Sequence, residues 1–297
     1  MATTNPSATE PIGPRVTFLE GRGDLPMLEI TTPWSTAEIY LHGAHVTHFK
    51  KHGDAPLLFL SQCSRFAESQ PIRGGIPIIF PWFGKPADKP GQHGLARIKD
   101  WELKEIHSPA AGSVTVRLTL PPCAGLADGK IAVEYNVIVN ATLTVELMVR
   151  NQTTEPFVFE NCLHTYFTVG DINAVSVRGL KGVEYLNQPT NFSRHTDHED
   201  VIRIAGEVDR AYLNTKHTVD IQDPSLQRII RVEKEESLST VVWNPWIAKA
   251  KAMPDYGDEE YQQMICVESG NVAENKLTLA PGATSRLKVN LSSTKST

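Results

Sequence analysis

The chain has 297 residues, of which 40% are hydrophobic and 21% charged, with a net charge of −5 and a pI near 6.1. An acidic balance with no basic stripe argues against nucleic acid as a partner, and without an apolar run of about 18 residues no membrane span is expected. The apolar share suits a globular protein with a sizeable core.

The N-terminal MATTNPSATEPIGP lacks a basic start followed by an apolar stretch, so a disordered tail over 1–14 is expected rather than a secretory leader. TAEIYLHGAHVTHFKK reads as strand, turn and strand. SQCSRFAES has the pattern of one or two helical turns. SVTVRLTL alternates, with Val114, Val116, Leu118 and Leu120 on one face; ATLTVELMVRN does the same with Leu143, Val145, Leu147 and Val149. IAVEYNVIVN, PFVFENCLHTYFTVG, VSVRGLKG, VIRIAG, HTVDIQD, RIIRVEK, STVVWN, MICVESG and RLKVNL are also strand-like, and Gly, Pro, Asn and Asp punctuate them. NPWIAKAKAMPDYG predicts a short helix stopped by Pro254. So many strands with so little helix predict an all-β fold, a large antiparallel β-sandwich, as a single domain over 15–293. No fixed-period repeat supports a propeller or solenoid. The four cysteines form no CxxC pair and read as reduced core residues of a cytoplasmic protein.

Some polar residues stand out against apolar surroundings. PIRGGIPIIFPWFG sets Arg73 in a segment loosened by Gly74-Gly75 and stiffened by Pro77 and Pro81. Arginine is rarely buried without a partner, so Arg73 meets either an internal carboxylate or a bound anion. GQHGLARIKDWEL adds Gln92, His93 and Arg97. Arg97 is a second planar fork suited to a phosphate or carboxylate, while His93 serves equally well as a turn residue. His164 of ENCLHTYF falls in an apolar strand. Taken alone it reads as structural, although a histidine in a site could donate a proton near neutral pH. Glu268 ends the strand of MICVESG, where a carboxylate is costly unless paired and is well placed as a general base. HGAHVTH spaces His42, His45 and His48 like metal ligands, with His52 following. The turn breaks their common face and no cysteine or carboxylate completes a set, so no metal is expected there.

Taken together, GAHVTHFKK, PIRGGIPIIFPWFG, QHGLARIKDWEL, LHTYF, GEVDRAY, WNPWIAKAKAMPDYGDEEY and ICVESGNV resemble the hexose-6-phosphate mutarotases of the aldose 1-epimerase superfamily, over nearly the whole chain. The resemblance implies a β-supersandwich with a carbohydrate site on a concave face. It implies His164 and Glu268 as catalytic acid and base, Arg73 and Arg97 as phosphate ligands, and Gln92 and Asp209 of GEVDR as ligands of substrate hydroxyls.

Exchange of anomers removes a proton from the O1 hydroxyl and delivers one to the ring oxygen O5. Glu268 is assigned as the base and His164 as the acid, with roles reversed on closure. No cofactor is required, the partner is a small sugar phosphate, and a monomer is expected. Two rivals use the same fold, a free-aldose epimerase and a noncatalytic sugar-phosphate binder. The arginine pair disfavours the first and the retained acid and base disfavour the second. A glycoside hydrolase needs two catalytic carboxylates; Glu268 is the one clear candidate, and Asp209 is a marginal second.

Overall fold

Alternation organises the molecule. In the strands Val114–Thr119, Ile131–Val139 and Leu143–Asn151 every second side chain is buried, and in Thr284–Lys295 the same alternation buries Leu287, Val289 and Leu291. Antiparallel register sets Val116 opposite Val137, Val137 opposite Val145 and Val145 opposite Val289, a continuous apolar row across four strands. These strands are part of a nine-stranded sheet that also contains Glu102–His107 at one edge and Arg228–Glu235, Val219–Asp223, Ser176–Arg178 and Ile202–Arg203 toward the other. The structure is a computed structural model describing residues 14–109 and 112–296, so all of the expected tail except Pro14 lies outside the described residues.

A second, eight-stranded sheet runs in the order Ser193–Thr196, Glu184–Asn187, Val208–Tyr212, Ser239–Asn244, Met264–Asn271, Asn161–Leu163 and Ile78–Ile79, with Tyr166–Thr168 also pairing to Met264–Asn271. Side chains of the two sheets share one hydrophobic cluster, Val137, Val145 and Leu287 from the first with Leu163, Val242, Ile265 and Val267 from the second. A four-stranded sheet over Arg15–Glu20, Pro26–Thr31, Ser35–Tyr40 and His45–Lys51 adds Leu28, Ile30, Ile39 and Val46 to that cluster. The ladders between named strands are all antiparallel among the described residues, as the all-β reading expects.

The strand Met264–Asn271 is buried on both faces. Ile265 and Val267 face the shared core, whereas Met264 and Cys266 join a separate cluster with Cys162, Tyr166 and Trp243. Period-two alternation therefore turns Cys266 and Glu268 away from the sandwich core, onto the outer face of the eight-stranded sheet. That face carries the candidate site.

Several local expectations change. SQCSRFAES forms turns rather than helix, while the expected short helix is present at Trp246–Ala252. The last strand runs to Lys295, past the boundary expected at 293. PFVFENCLHTYFTVG is three short strands, Phe157–Phe159, Asn161–Leu163 and Tyr166–Thr168, with His164 in the break between the last two. The break has a cause in the backbone. The amides of His164 and Tyr166 donate to the carbonyls of Pro77 and Gly75, pulling the chain toward the PIRGG loop. Glu268 lies inside its strand rather than at its end. All four cysteines are free, with Cys162 and Cys266 buried and Cys63 exposed.

Candidate active site

The floor of the site is a lateral row across the eight-stranded sheet. Register sets Asp209 opposite Trp243, Trp243 opposite Cys266, and Cys266 opposite Tyr166; in the next row on that face Val241 stands opposite Glu268. His164 stacks on Tyr166, ring centroids 4.8 Å apart, and meets Trp243 edge-on at 5.9 Å. Its Nε2 lies 3.3 Å from Glu268 Oε1, and the Cys162 thiol donates to Glu268 Oε2 at 3.5 Å. The Glu268 side chain is only 1% exposed and that of His164 9%.

Burial governs the protonation of this pair. It lowers His164 well below the ordinary histidine range, and the nearby Arg97 and Arg73 guanidiniums push the same way. It raises Glu268 well above the ordinary carboxylate range, helped by the charge of Asp209. In the free protein the pair therefore favours a neutral imidazole beside a protonated carboxyl, with one proton between them.

Loops form the rim. Gly74 has φ 117°, and a Cβ there would come within 2.5 Å of the Phe59 carbonyl oxygen, so only glycine fits. The neighbouring Arg73 donates from Nε and Nη2 to Asp255 Oδ2, at 3.2 and 3.0 Å, and from Nη1 to the Tyr166 hydroxyl at 3.0 Å. Burial pushes this guanidinium down, but Tyr166 and Asp255 outweigh it and keep it charged. Arg97 sits in the 3-10 turn Ala96–Ile98 and is buried. Its Nη2 donates to the Gln92 carbonyl at 2.8 Å and its Nε has no partner. Among the described residues no carboxylate pairs with it. Burial and the Arg73 charge lower it to about 10, which still leaves a cation at neutral pH.

His93 takes φ 63°, and Gly94 beside it has φ 72°, with space for a Cβ occupied by the Phe80 carbonyl oxygen at 2.0 Å. His93 Nδ1 accepts from the Gly84 amide at 3.1 Å, which leaves Nε2 as the protonated nitrogen of a neutral ring. That ring lies edge-on to His164 at 5.7 Å. Burial, then Arg97, hold His93 well below its ordinary pKa. Asp209 is lifted to about 6 by burial, tempered by Lys249 Nζ at 3.5 Å. With its amide nitrogen turned toward Asp209, Gln188 donates to Oδ1 at 3.1 Å, which ties the polar tract after Leu186 to the site.

Of the residues singled out in the sequence, His164, Glu268, Arg73, Arg97, His93 and Asp209 are linked by contact or by charge on this one face. Gln92 contributes its carbonyl to Arg97, while its side chain is exposed. Of the two readings of Arg73, the internal carboxylate is present as Asp255, and Arg97 is a neighbouring cation. Sequence reasoning missed Asp255, Tyr166, Cys162 and Cys266. The alternation of MICVESG already places Cys266 and Glu268 on one face, but the pairing of Arg73 with Asp255, far along the chain, left no local signal.

The histidines of HGAHVTH go to separate partners. His42 bonds Asp100 at 2.9 Å and the Gln70 carbonyl at 2.8 Å, His48 the Thr36 hydroxyl, and His52 the Thr32 carbonyl. His45, lowered to about 3 by burial, is neutral, and its Nε2–H donates to the Gly74 carbonyl at 2.7 Å. It thus fixes the loop that carries Arg73.

The family model for aldose 1-epimerase matches residues 26–292. A Cenchrus ciliaris protein provisionally named glucose-6-phosphate 1-epimerase is 38% identical over 273 residues, covering 88% of this chain and 82% of its own. An Escherichia coli K12 protein with the same provisional name is 32% identical, covering 85% of each chain. A Salmonella typhimurium crystal structure, provisionally titled a mutarotase, superposes with a TM-score of 0.85 at 28% identity, covering 94% of this chain and 97% of that one.

Proposed function

The chain belongs to the aldose 1-epimerase family, and on that premise we propose that it interconverts the α and β anomers of glucose 6-phosphate and related hexose 6-phosphates. The observation that carries the phosphate is Arg97, a buried guanidinium that no carboxylate pairs with among the described residues, depressed by burial and then by the charge of Arg73 beside it. Two cations that repel each other across a site favour an anion between them. An uncharged sugar would leave that repulsion in place.

His164 and Glu268 perform the proton transfers. One takes the proton from the O1 hydroxyl while the other delivers a proton to O5. The C1–O5 bond breaks, the aldehyde turns about C1–C2, and the reverse transfers close the ring on its other face. The pair needs one proton in total at the start, which the buried site supplies. Phosphate binding offsets the positive charge of Arg97 and Arg73, the part of the field that disfavours imidazolium, and so moves the shared proton toward His164. Glu268 is then the base on O1 and His164 the acid on O5. The neutral His93, with its Nε2–H, and Asp209 are suited to holding sugar hydroxyls, and the phosphate orients the sugar at a distance from C1.

Exchange spectroscopy by NMR on equilibrated glucose 6-phosphate tests this. Catalysed exchange between the two anomeric signals is expected, and on free glucose much slower exchange. Binding of glucose 6-phosphate without exchange would favour the noncatalytic reading. Among the described residues no helix is long and apolar enough to cross a membrane, and the proposed partner is the small sugar phosphate alone.

A further inference from the structure

The floor of the site has a property that proton transfer does not use. A ring nitrogen of His164, the Cys266 thiol and a carboxylate oxygen of Glu268 all lie within 4.8 Å of one another. A tetrahedral ion with bonds of about 2.0–2.3 Å holds its ligands roughly 3.3–3.8 Å apart. The His164 to Glu268 separation, 3.3 Å, is already in that range, and no pair in the set is more than 4.8 Å apart. Nitrogen, sulfur and oxygen together are the donor set of a thiophilic divalent cation, and three protein ligands leave a fourth position open. His164 is not tied down by other bonds, because its Nδ1 has no hydrogen-bond partner. Cys162 is placed differently, with its thiol committed to the other oxygen of Glu268.

We propose that His164, Cys266 and Glu268 form an inhibitory site for a thiophilic divalent cation, Zn2+ or Cd2+, which excludes the sugar from the floor. Binding exchanges the thiol proton, and any proton held by the His–Glu pair, for the metal bonds, and those protons pass to solvent. Both groups that move protons are then metal ligands, so the ion acts as an inhibitor and not as a cofactor. Cation binding stands on the geometry alone; only its competition with substrate rests on the epimerase reading.

The test titrates chelator-treated protein with Cd2+ and follows the ultraviolet thiolate-to-Cd2+ charge-transfer band. A Cys63→Ser, Cys123→Ser background removes the two thiols that are not buried. One equivalent of band is expected. Adding Cys266→Ser should abolish it, while Cys162→Ser keeps it. Measured against its own metal-free rate, whatever that rate is, the Cys266→Ser protein should resist Cd2+ at concentrations that silence its parent. Glucose 6-phosphate should weaken the apparent Cd2+ affinity. A band that survives Cys266→Ser, or no band with millimolar Cd2+, overturns the site. Restored or increased activity when Zn2+ is added to chelated protein overturns the inhibitory role. If the protein proves inactive on every anomer, the epimerase reading fails, but the band and its loss in Cys266→Ser still decide the site.

Discussion

The floor and the rim of the site are built by different means. His164 and Glu268 are placed by register, with Glu268 on a central strand buried on both faces and His164 where the neighbouring strand breaks away toward the PIRGG loop. Arg73 and Arg97 stand on loops and depend on individual contacts, Asp255 and Tyr166 for one, a single carbonyl for the other. The floor therefore owes its position to the fold and its chemistry to burial. The rim owes its position to a few hydrogen bonds and its chemistry to charge, which Asp255 pairs at Arg73 and no carboxylate among the described residues pairs at Arg97. Substitutions should separate the two, with floor variants losing turnover while the protein stays folded, and rim variants losing discrimination or stability according to what each arginine already holds.

The largest effect belongs to the floor. Glu268→Gln and His164→Ala should each lower kcat by about 10² to 10⁴-fold, the usual contribution of one acid or base. Because the two act as a unit, the double variant should be little worse than the worse single one. Activity requires one proton on the pair. It should fall on the acid side as a second proton adds and on the alkaline side as the last one leaves, giving a bell in kcat/KM for the wild type. One limb should disappear in His164→Ala. Retention of kcat within a few-fold in either variant would remove that residue from the chemistry.

The rim comes next, and the two arginines should part company. Loss of a charge-assisted contact costs about 1.5–3 kcal/mol, roughly 10 to 150-fold. For Arg97→Ala that loss should fall on kcat/KM for glucose 6-phosphate and spare free glucose, with the melting temperature held, since no internal carboxylate is orphaned. Arg73→Ala strands Asp255, whose side chain is only 12% exposed. It should therefore lower the melting temperature and harm both sugars, and Asp255→Asn in the same chain should restore part of the stability. Equal fractional losses on the two sugars in Arg97→Ala would sink the phosphate clamp.

How much of this was legible in the sequence follows the same division. Strand patterning reached the sheets because period-two burial is local; Val116, Val145 and Leu147 show it without ambiguity. His164, Glu268, Arg73 and Arg97 stood out in their motifs, and their proposed roles came with the family resemblance. What escaped was either long-range or backbone-made. Asp255 meets Arg73 across 182 positions of chain, and the strand break at His164 comes from carbonyls of Gly75 and Pro77, which no side-chain pattern encodes. The HGAHVTH histidines bond to separate partners, and the task of His45, fixing the Gly74 carbonyl, depends on a loop brought to it only by the fold.

An effect on stability rather than turnover concerns Asp209, which burial lifts from 3.8 to about 6. A group whose folded pKa is raised contributes stability that is fully present below its ordinary value and is lost as pH rises through the raised one. Wild type should therefore lose stability between about pH 4 and pH 6 from this carboxyl. Asp209→Asn cannot ionise and escapes that loss, so its melting temperature should gain on the wild type across the same window. The free-energy gap should approach about 3 kcal/mol at most, at about 1.36 kcal/mol per pH unit, with the opposing pull of Lys249 already inside the value of about 6. A melting-temperature difference that stays constant from pH 4 to pH 8 would show that the carboxyl is not perturbed.

The smallest expected effect tests where rim ends and solvent begins. Gln92 supports Arg97 through its main-chain carbonyl, which Gln92→Ala leaves in place, while its side chain is exposed. If that side chain reaches a sugar hydroxyl, what is lost is one neutral hydrogen bond of about 0.5–1.5 kcal/mol, or roughly 2 to 13-fold. The hydroxyl is common to glucose and glucose 6-phosphate, so the fractional loss in kcat/KM should be the same for both and well below that of Arg97→Ala. A loss as large as that of Arg97→Ala and confined to the phosphorylated sugar would mean that the side chain, rather than the carbonyl, holds the anion-binding guanidinium in place. The rim would then be anchored by a residue whose side chain lies in solvent, and Arg97 would no longer be its self-sufficient cation.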